Sequence, residues 1–225
     1  MMLSLLHHDV KDDRPDNGRS STAGRTPRAP YDECMRYPPE HKSQVHQKII
    51  QDASRRVRNE GLNGAAVATI MRDTGLTHGG FYKHFASKQE LLLESLHEAF
   101  REIGDTLVAA AQQAPPGEGW RAIVKTYLSL EYCDHAERGC PLPALAPELA
   151  RVDRSMRGAV VGELVSYRDR LLPFMPGARP AERERNFYAI ISTMMGAVEL
   201  ARILPHPEAQ EKVLASARDF LLQSF

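Results

Sequence analysis

TIMRDTGLTHGGFYKHF, residues 69–85, contains two short helical segments joined by a turn. Gly75 suits a left-handed turn position because a side chain there would clash with the backbone. Thr77 can cap the helix that follows through its hydroxyl. Two short helices joined by such a turn form a helix-turn-helix, whose second helix enters the major groove of DNA. The segment therefore predicts a DNA-binding helix-turn-helix.

The second helix of this segment begins with Gly79 and Gly80, which are poor helix formers. Each glycine costs roughly 1 kcal/mol relative to alanine inside a helix. That cost is understandable where a partner must approach the backbone closely. The free amides and partial positive charge of a helix N-terminus suit a phosphate.

The flanking sequence has helical periodicity in both directions. Before the turn, apolar residues fall on one helical face from Ser43 to a stop at Glu60-Gly61; they are Val45, Ile49, Ile50, Ala53 and Val57. After the turn, Ser87-Lys88-Gln89-Glu90 is a capping box that predicts the start of a long helix ending before Pro115. Proline and glycine separate further predicted helices at about 120–134, 142–151, 153–172, 181–204 and 207–225. These patterns predict an all-α chain with an N-terminal three-helix domain at 43–86 and a C-terminal helical bundle at 87–225.

The charge balance points to a local rather than a global binding surface. The 225 residues include 29 Lys and Arg and 29 Asp and Glu, so the net formal charge is zero. Between Ser43 and Glu90, however, the cations Lys48, Arg55, Arg56, Arg58, Arg72, Lys83 and Lys88 outnumber the acids Asp52, Glu60, Asp73 and Glu90. Such an excess supplies the sequence-independent part of affinity for DNA.

Several protein classes are excluded by composition. Residues 1–42 have no periodic apolar positions, and we expect a disordered or atypical tail. Three cysteines in a chain of 225 residues do not form a disulfide framework, which favours the cytoplasm. The longest apolar stretch, 188–203, is interrupted by Glu199 and Arg202, and the first residues lack a signal peptide, so we expect no membrane partner. No cofactor and no metal are indicated.

LTHGGFYKHFASKQELL, residues 76–92, together with the three-helix pattern around it, resembles the TetR/AcrR family of transcriptional regulators. The resemblance covers about Ser43–Leu93 in motif and the remainder only in architecture. It implies a homodimer that binds a palindromic operator in double-stranded DNA, usually as a repressor. It also implies that a small-molecule effector binds the C-terminal domain and releases the DNA.

The resemblance assigns DNA-contacting roles position by position. Thr77 and Tyr82 match the phosphate-contacting hydroxyls of the family; His78, Gly79 and Lys83 match positions facing base edges; His84 and Lys88 match outer phosphate contacts. Lys83 can donate to guanine in the major groove, so we expect it to carry sequence information. Phe81 and Phe85 are predicted core residues. The alternatives are that Tyr82 is a rim residue, that both lysines are merely solvated, and that His84 is a hydrogen-bonded structural histidine.

Two positions depart from the family pattern. Ala66 opens the second helix where the family usually has Ser or Thr, so the hydroxyl that would provide one cap and one phosphate contact is missing there. Met71 occupies a position that is usually small, so packing must differ around it.

The last two predicted helices carry broad apolar faces. These faces consist of Phe187, Ile190, Ile191, Met194, Met195, Val198 and Ala201, followed by Val213, Leu214, Ala217, Phe220, Leu221 and Phe225. They suit a four-helix bundle shared between two subunits, as the family resemblance implies. The alternative is that they only close the core of one subunit.

The candidates for ligand binding in the C-terminal domain are Trp120, Tyr127, Glu131, Cys140, Phe174 and Met194, and Tyr132, His135 and Met195 are further possible lining residues. Aromatic residues and methionines at helical spacing are more often plain core.

Cys140 supports a competing hypothesis. It follows a short loop at the predicted start of a helix, near Arg138, and both features lower the pKa of a thiol. One alternative is therefore a helical thiol enzyme with Cys140 as nucleophile and His135 as base, and another is a redox or electrophile sensor. The competing interpretation is that Cys140 is a buried structural cysteine. A zinc site from Cys133, His135 and Cys140 lacks standard spacing and a fourth ligand. A helical interaction module that does not bind DNA is the remaining possibility. We expect a regulator and not an enzyme.

Overall fold

The structure is a computed structural model that describes residues 39–63, 66–75 and 77–225, and only the backbone of Pro39 and His78. The predicted tail at 1–42 therefore lies outside the described residues up to residue 38. Residues 39–42 belong to the first helix, which begins at Pro39 rather than at Ser43.

The described residues form α-helices and two short 3-10 turns, with no β-strand among them, which confirms the all-α prediction. The helices are α1 Pro39–Glu60, α2 Val67–Asp73, α3 His78–Phe81, α4 Lys88–Gln113, α5 Gly119–Tyr127, α6 Leu130–Asp134, α7 Pro141–Leu149, α8 Arg154–Leu171, α9 Pro180–Ile203 and α10 Pro207–Ser224. None of these helices is both long and apolar enough to cross a membrane, in the part of the chain that is described.

The segment predicted as one helix at 120–134 is two helices, α5 and α6. Leu128 leaves the helical conformation with φ −93° and ψ 50°. Ser129 then starts α6, since its hydroxyl accepts a hydrogen bond from the amide of Tyr132 at 3.2 Å. A serine N-cap inside an apolar periodic run interrupts the helix without proline or glycine.

The start of α4 has the predicted capping box. The Ser87 hydroxyl accepts from the amide of Glu90 at 3.1 Å. The carboxylate of Glu90 reaches back to the amide of Ala86, one residue earlier than the standard pattern. Two otherwise unpaired amides are thereby satisfied at the point where the chain leaves the N-terminal helices.

The N-terminal hydrophobic core combines α1, α2, α3 and the start of α4 with parts of α7 and α8. From the first group it takes Ile49, Ile50, Ala53, Val57, Ile70, Met71, Phe81, Phe85, Leu91, Leu92 and Leu96, and from the second Leu145, Leu149, Met156 and Val160. Met71 is almost fully buried at 1% exposure, so its larger side chain fills this core.

The second core lies within the C-terminal bundle, and α4 runs through both cores. The helix has 26 residues and is therefore about 39 Å long at 1.5 Å per residue. Leu91 and Leu96 near its start pack in the N-terminal core, whereas Phe100, Ile103 and Leu107 pack in the C-terminal core. A single rigid helix thus connects the two halves.

A second connection runs from α1 through Arg58, whose side chain is fully buried. The guanidinium donates to the Glu102 carboxylate on α4 at 2.6 Å and to the carbonyl of Gly139 at 3.2 Å. It also donates to the backbone and hydroxyl of Ser54. Arg58 therefore joins the first helix to α4 and to the loop before α7.

The predicted apolar stripe on α9 is mostly core of a single subunit. Phe187, Ile190, Ile191, Met194, Val198 and Ala201 are all buried in the one chain, and only Met195 is partly exposed. On α10, Leu214 and Leu221 are also buried, whereas Phe220 is 62% exposed. The alternative that this stripe closes the monomer core is correct for these buried residues.

Candidate functional site

The turn between α2 and α3 has the predicted left-handed glycine. Gly75 has φ 74°, which a residue with a side chain rarely adopts. The preceding Thr74 ends α2, and its hydroxyl donates to the carbonyl of Ile70 at 2.8 Å. At the other end of α2, Ala66 provides no side-chain cap. The helix-turn-helix geometry is thus formed by the residues that predicted it.

The predicted cap by Thr77 is wrong. Thr77 occupies the N-cap position of α3, but its hydroxyl caps no amide. The reason is that α3 begins as a tight turn in which the amide of Gly80 donates to the carbonyl of Thr77 at 2.8 Å. The exposed hydroxyl is consequently left available for another acceptor or donor.

The segment from α3 to the following turn places apolar and polar residues on opposite sides. Phe81 and Phe85 are each 1% exposed in the N-terminal core, which confirms their predicted role. Tyr82 is 65% exposed, and Lys83 is also exposed. Among the described residues, nothing lies within 4 Å of where a side chain at Gly79 would begin, so no packing within that part of the chain requires a glycine there. The exposed side can therefore receive a partner close to the backbone.

The other predicted contact residues have different surroundings. Lys88 is exposed at the start of α4. The side chain of His78 lies outside the described part of the structure. His84 is half-buried, and its ring centroid lies 5.9 Å from that of His46. Its Nδ1 is buried and has no hydrogen-bond partner among the residues that the structure describes. The alternative of a hydrogen-bonded structural histidine is not supported at Nδ1.

The positive charge that the N-terminal helices leave available to a partner is smaller than their number of cations indicates. Arg56 pairs with both Asp73 and Glu60, and the buried Arg58 pairs with Glu102. Arg55 lies 3.9 Å from Asp52. By contrast Lys48, Lys83 and Lys88 are exposed and, within the described residues, form no ion pair. The positive charge left for a partner is therefore mostly that of lysines.

The candidate ligand residues do not form one site. Trp120 and Phe174 line an open groove of about 580 Å³ between the end of α4 and the chain after α8. Tyr127, Cys140 and Met194 are buried in the C-terminal core, and Glu131 is exposed. The predicted set is thus divided between a surface groove, the core and the solvent.

The prediction of a reactive Cys140 fails on its surroundings. The residue is 1% exposed, and burial raises the pKa of its thiol to about 11. His135 is exposed and its ring is hydrogen-bonded to Glu137 at 3.2 Å. A thiol with a raised pKa is a poor nucleophile at neutral pH. In addition, no three His, Cys, Asp or Glu side chains of the described residues form a metal-binding group.

Helices packed on a common core, with a left-handed turn before a short exposed helix, are the architecture of a helix-turn-helix transcriptional regulator. The comparisons with known proteins agree. The model of the tetR family of bacterial regulatory proteins matches residues 49–95, which include the helix-turn-helix. Proteins of this family regulate transcription and are not enzymes, so the thiol-enzyme hypothesis is not supported.

One curated relative is the HTH-type transcriptional regulator LmrA of Bacillus subtilis, which is 27% identical over 118 residues. The match covers 50% of this chain and 61% of LmrA, so the chain spans less than two thirds of that relative. A TetR transcriptional regulator from Chloroflexus aurantiacus has a similar fold, with a TM-score of 0.68 at 23% identity over 82% of this chain and 97% of the other. A TetR-family regulator from Cytophaga hutchinsonii gives a TM-score of 0.67 at 17% identity, over 83% of this chain and 98% of the other.

Proposed function

We propose that the chain is a homodimeric repressor that binds a palindromic operator and is released by a small-molecule effector bound in its C-terminal bundle. The observation that carries the proposal is the two-sided segment 77–85, in which Phe81 and Phe85 pack inward while Tyr82 and Lys83 are exposed. The proposed partner is chromosomal DNA, and the proposed location is accordingly the cytoplasm.

Some residues on the exposed side of this segment provide sequence specificity, and others provide affinity that does not depend on sequence. Lys83 reaches a base edge and donates to guanine O6 or N7, with His78 and Gly79 facing the same groove. Thr77, Tyr82, His84 and Lys88 contact phosphates, which position the helix without selecting a sequence. The uncapped hydroxyl of Thr77 supports this role, because no amide of α3 uses it.

Exposed apolar residues on the last two helices support the homodimer. Leu200 and Ile203 on α9 are 53% and 77% exposed, and Phe220 on α10 is 62% exposed. Large apolar side chains this exposed are typical of a surface that a second subunit covers. A two-fold dimer then places its two reading helices about one turn of DNA apart, which requires a palindromic site.

DNA binding is tested by titrating the full chain into labelled promoter DNA and into a random duplex of equal length, at about 50 and about 200 mM salt. Lys83→Ala should reduce the preference for the promoter by about tenfold to a hundredfold, since a specific base contact is worth about 1–3 kcal/mol. Tyr82→Phe should weaken binding to both duplexes about equally, because phosphates carry no sequence.

Lys125→Ala is the matched control, because Lys125 is an exposed cation on α5. Its promoter affinity should equal that of the unmodified protein. Absence of binding at the lower salt concentration would refute the proposal, as would identical behaviour of the Lys83 and Lys125 variants.

A further inference from the structure

Three exposed arginines lie close together in the chain where α7 ends and α8 begins. They are Arg151, Arg154 and Arg157, called here the arginine cluster. From residue 150 to residue 162 the sequence has one acid, Asp153, whose carboxylate caps the first turn of α8. This junction is therefore a local concentration of positive charge in a chain whose formal net charge is zero.

The side chain of Arg157 folds back onto the loop that carries the other two arginines. Its Nη2 donates to the carbonyls of Ala150 at 2.8 Å and of Val152 at 3.2 Å, the two neighbours of Arg151. Within the described residues, none of the three guanidiniums of the cluster forms an ion pair. Like charges on one short loop repel each other, so the arrangement favours an anionic partner.

Contacts between α4 and α8 show where the arginine cluster lies. His97 on α4 contacts Glu163 on α8 at 3.0 Å, and Asp105 on α4 accepts from Arg170 on α8. The two pairs are separated by 66 and 65 residues along the chain. A separation that stays constant over two turns means that the two helices run side by side in the same direction.

The same separation places Arg154, the first residue of α8, level with Lys88, the first residue of α4. The packing agrees, since Met156 and Val160 of α8 lie in the N-terminal core together with Leu91 of α4. Lys88 is exposed and is one of the residues proposed above to contact a DNA phosphate. The arginine cluster is therefore at the end of the molecule that the helix-turn-helix presents to DNA.

A DNA duplex is the anion that fits this position. It carries one negative charge per about 1.7 Å of its axis, so a duplex held by α3 continues past the neighbouring parts of the protein. A guanidinium binds phosphate through a planar fork of two donors. An acidic protein segment has the same sign of charge, but the proposed function brings only DNA to this end of the molecule.

We propose that the arginine cluster binds phosphates of the operator outside the groove that α3 reads. Arg151 and Arg154 contact the phosphates, while Arg157 holds the loop through its two carbonyl contacts and adds its charge. The inference rests on the proposed function for the identity of the DNA. It gives each subunit a second attachment to the duplex, one that adds affinity without selecting a sequence.

The test titrates the double variant Arg151→Gln/Arg154→Gln and the unmodified full chain into promoter DNA and a random duplex, between about 50 and about 200 mM salt. Each phosphate contact adds about 0.9 to the slope of log affinity against log salt, so the slope should become shallower by about 2 per subunit. Affinity for both duplexes should fall about equally, by at least about tenfold at the lower salt concentration. The preference for the promoter should therefore persist, unlike in Lys83→Ala.

Arg179→Gln/Arg185→Gln is the matched control. Both residues are exposed arginines that form no ion pair within the described part of the chain. They lie at the other end of α8, because Glu184, next to Arg185, contacts Arg168 in the last turn of that helix. The salt slope and the affinities of this control should equal those of the unmodified protein.

Hydroxyl-radical footprinting of the promoter at saturating protein locates the contact. The unmodified protein and Lys83→Ala should protect sugar-phosphate positions that the Arg151→Gln/Arg154→Gln variant leaves exposed. An unchanged salt slope or an unchanged footprint in that double variant would overturn this inference and leave the proposed function intact. A shallower slope in the double variant, with equal binding of promoter and random duplex by the unmodified protein, would support the inference and defeat the proposed operator recognition.

A polyglutamate peptide, titrated under the same conditions, tests the other class of acidic partner. If the double variant loses affinity for polyglutamate and keeps its affinity for both duplexes, the inference is wrong and the arginine cluster fits an acidic protein segment. If it loses affinity for the duplexes and shows no saturable binding of polyglutamate before or after the substitution, DNA is the partner.

Discussion

The surroundings of His84 disfavour its charged form, so the proposed contact of His84 with DNA would make binding depend on pH. Burial lowers the pKa of His84, and the electrostatic effects of the nearby His46, Lys42 and Lys83 lower it further. The ring is therefore neutral in the DNA-free protein at pH 7, and DNA phosphate next to it would raise the pKa again. Binding then takes up a proton. The effect of pH on the stability of the DNA-free protein has the opposite sign. As the pH falls below about 6.5, His84 binds a proton more readily in the unfolded chain than in the folded protein, so the free energy of unfolding decreases.

We accordingly expect promoter affinity to increase as the pH falls from about 8 to about 6, by up to about tenfold per pH unit. His84→Gln should flatten this dependence, whereas His206→Gln, at an exposed histidine before α10, should retain it. Binding isotherms at constant ionic strength measure the effect. Coincident pH profiles for the His84 variant and the unmodified protein would contradict it.

Single residues were predictable where their conformation is decided locally. Gly75, the inward Phe81 and Phe85, and the cap at Ser87 all follow from a few neighbouring residues. The role of Thr77 did not follow, because its cap depends on whether α3 begins with a wide or a tight turn.

Helices are joined in this molecule by a contact that the sequence pattern could not reveal. Arg58 counted as one of several cations, yet it is buried between α1, α4 and the Gly139 carbonyl, which lies 81 residues further along the chain. Helix positions themselves were predictable from apolar period and caps. The exception is the break at Leu128–Ser129. There the Ser129 cap starts a new helix although the apolar pattern of the sequence continues without interruption.

Arg58→Met should lower the free energy of unfolding by about 2–4 kcal/mol, because it leaves the Glu102 carboxylate and the Gly139 carbonyl without their buried partner. Urea unfolding followed by circular dichroism measures the loss. Arg138→Met is the control, because its side chain is 79% exposed and its guanidinium lies as far as 3.9 Å from the Glu137 carboxylate. Its free energy of unfolding should therefore stay within about 0.5 kcal/mol of that of the unmodified protein. Equal stability of the two variants would show that the Arg58 contacts contribute nothing.

At the scale of the whole molecule, the apolar faces of the last two helices were predictable from the sequence. Which residues of these faces are buried within the subunit and which are exposed was not predictable. Burial of Phe187 and Met194 depends on how α9 packs in the second core, whereas Ile203 and Phe220 are left outside it. Periodicity alone does not distinguish an apolar face covered by the same chain from one covered by a second chain.

Ile203→Glu should convert the proposed dimer to a monomer, because it introduces a charge into the proposed interface. Analytical ultracentrifugation at micromolar concentration measures the change, and promoter affinity should fall at least about a hundredfold once only one half-site is bound per molecule. Ala109→Glu, on an exposed position of α4, should leave both properties unchanged. A dimeric Ile203→Glu protein, or a monomeric unmodified protein, would refute the proposed interface.

The N-terminal core has a practical consequence for protein engineering. Leu145, Leu149, Met156 and Val160, from α7 and α8, complete a core that the first helices cannot close themselves. A fragment cut after α4 would expose the apolar surface that these four side chains cover, and it would be prone to aggregate. A chimera that transfers the DNA specificity of this protein to another regulator must therefore carry matching residues at those four positions as well as the helix-turn-helix.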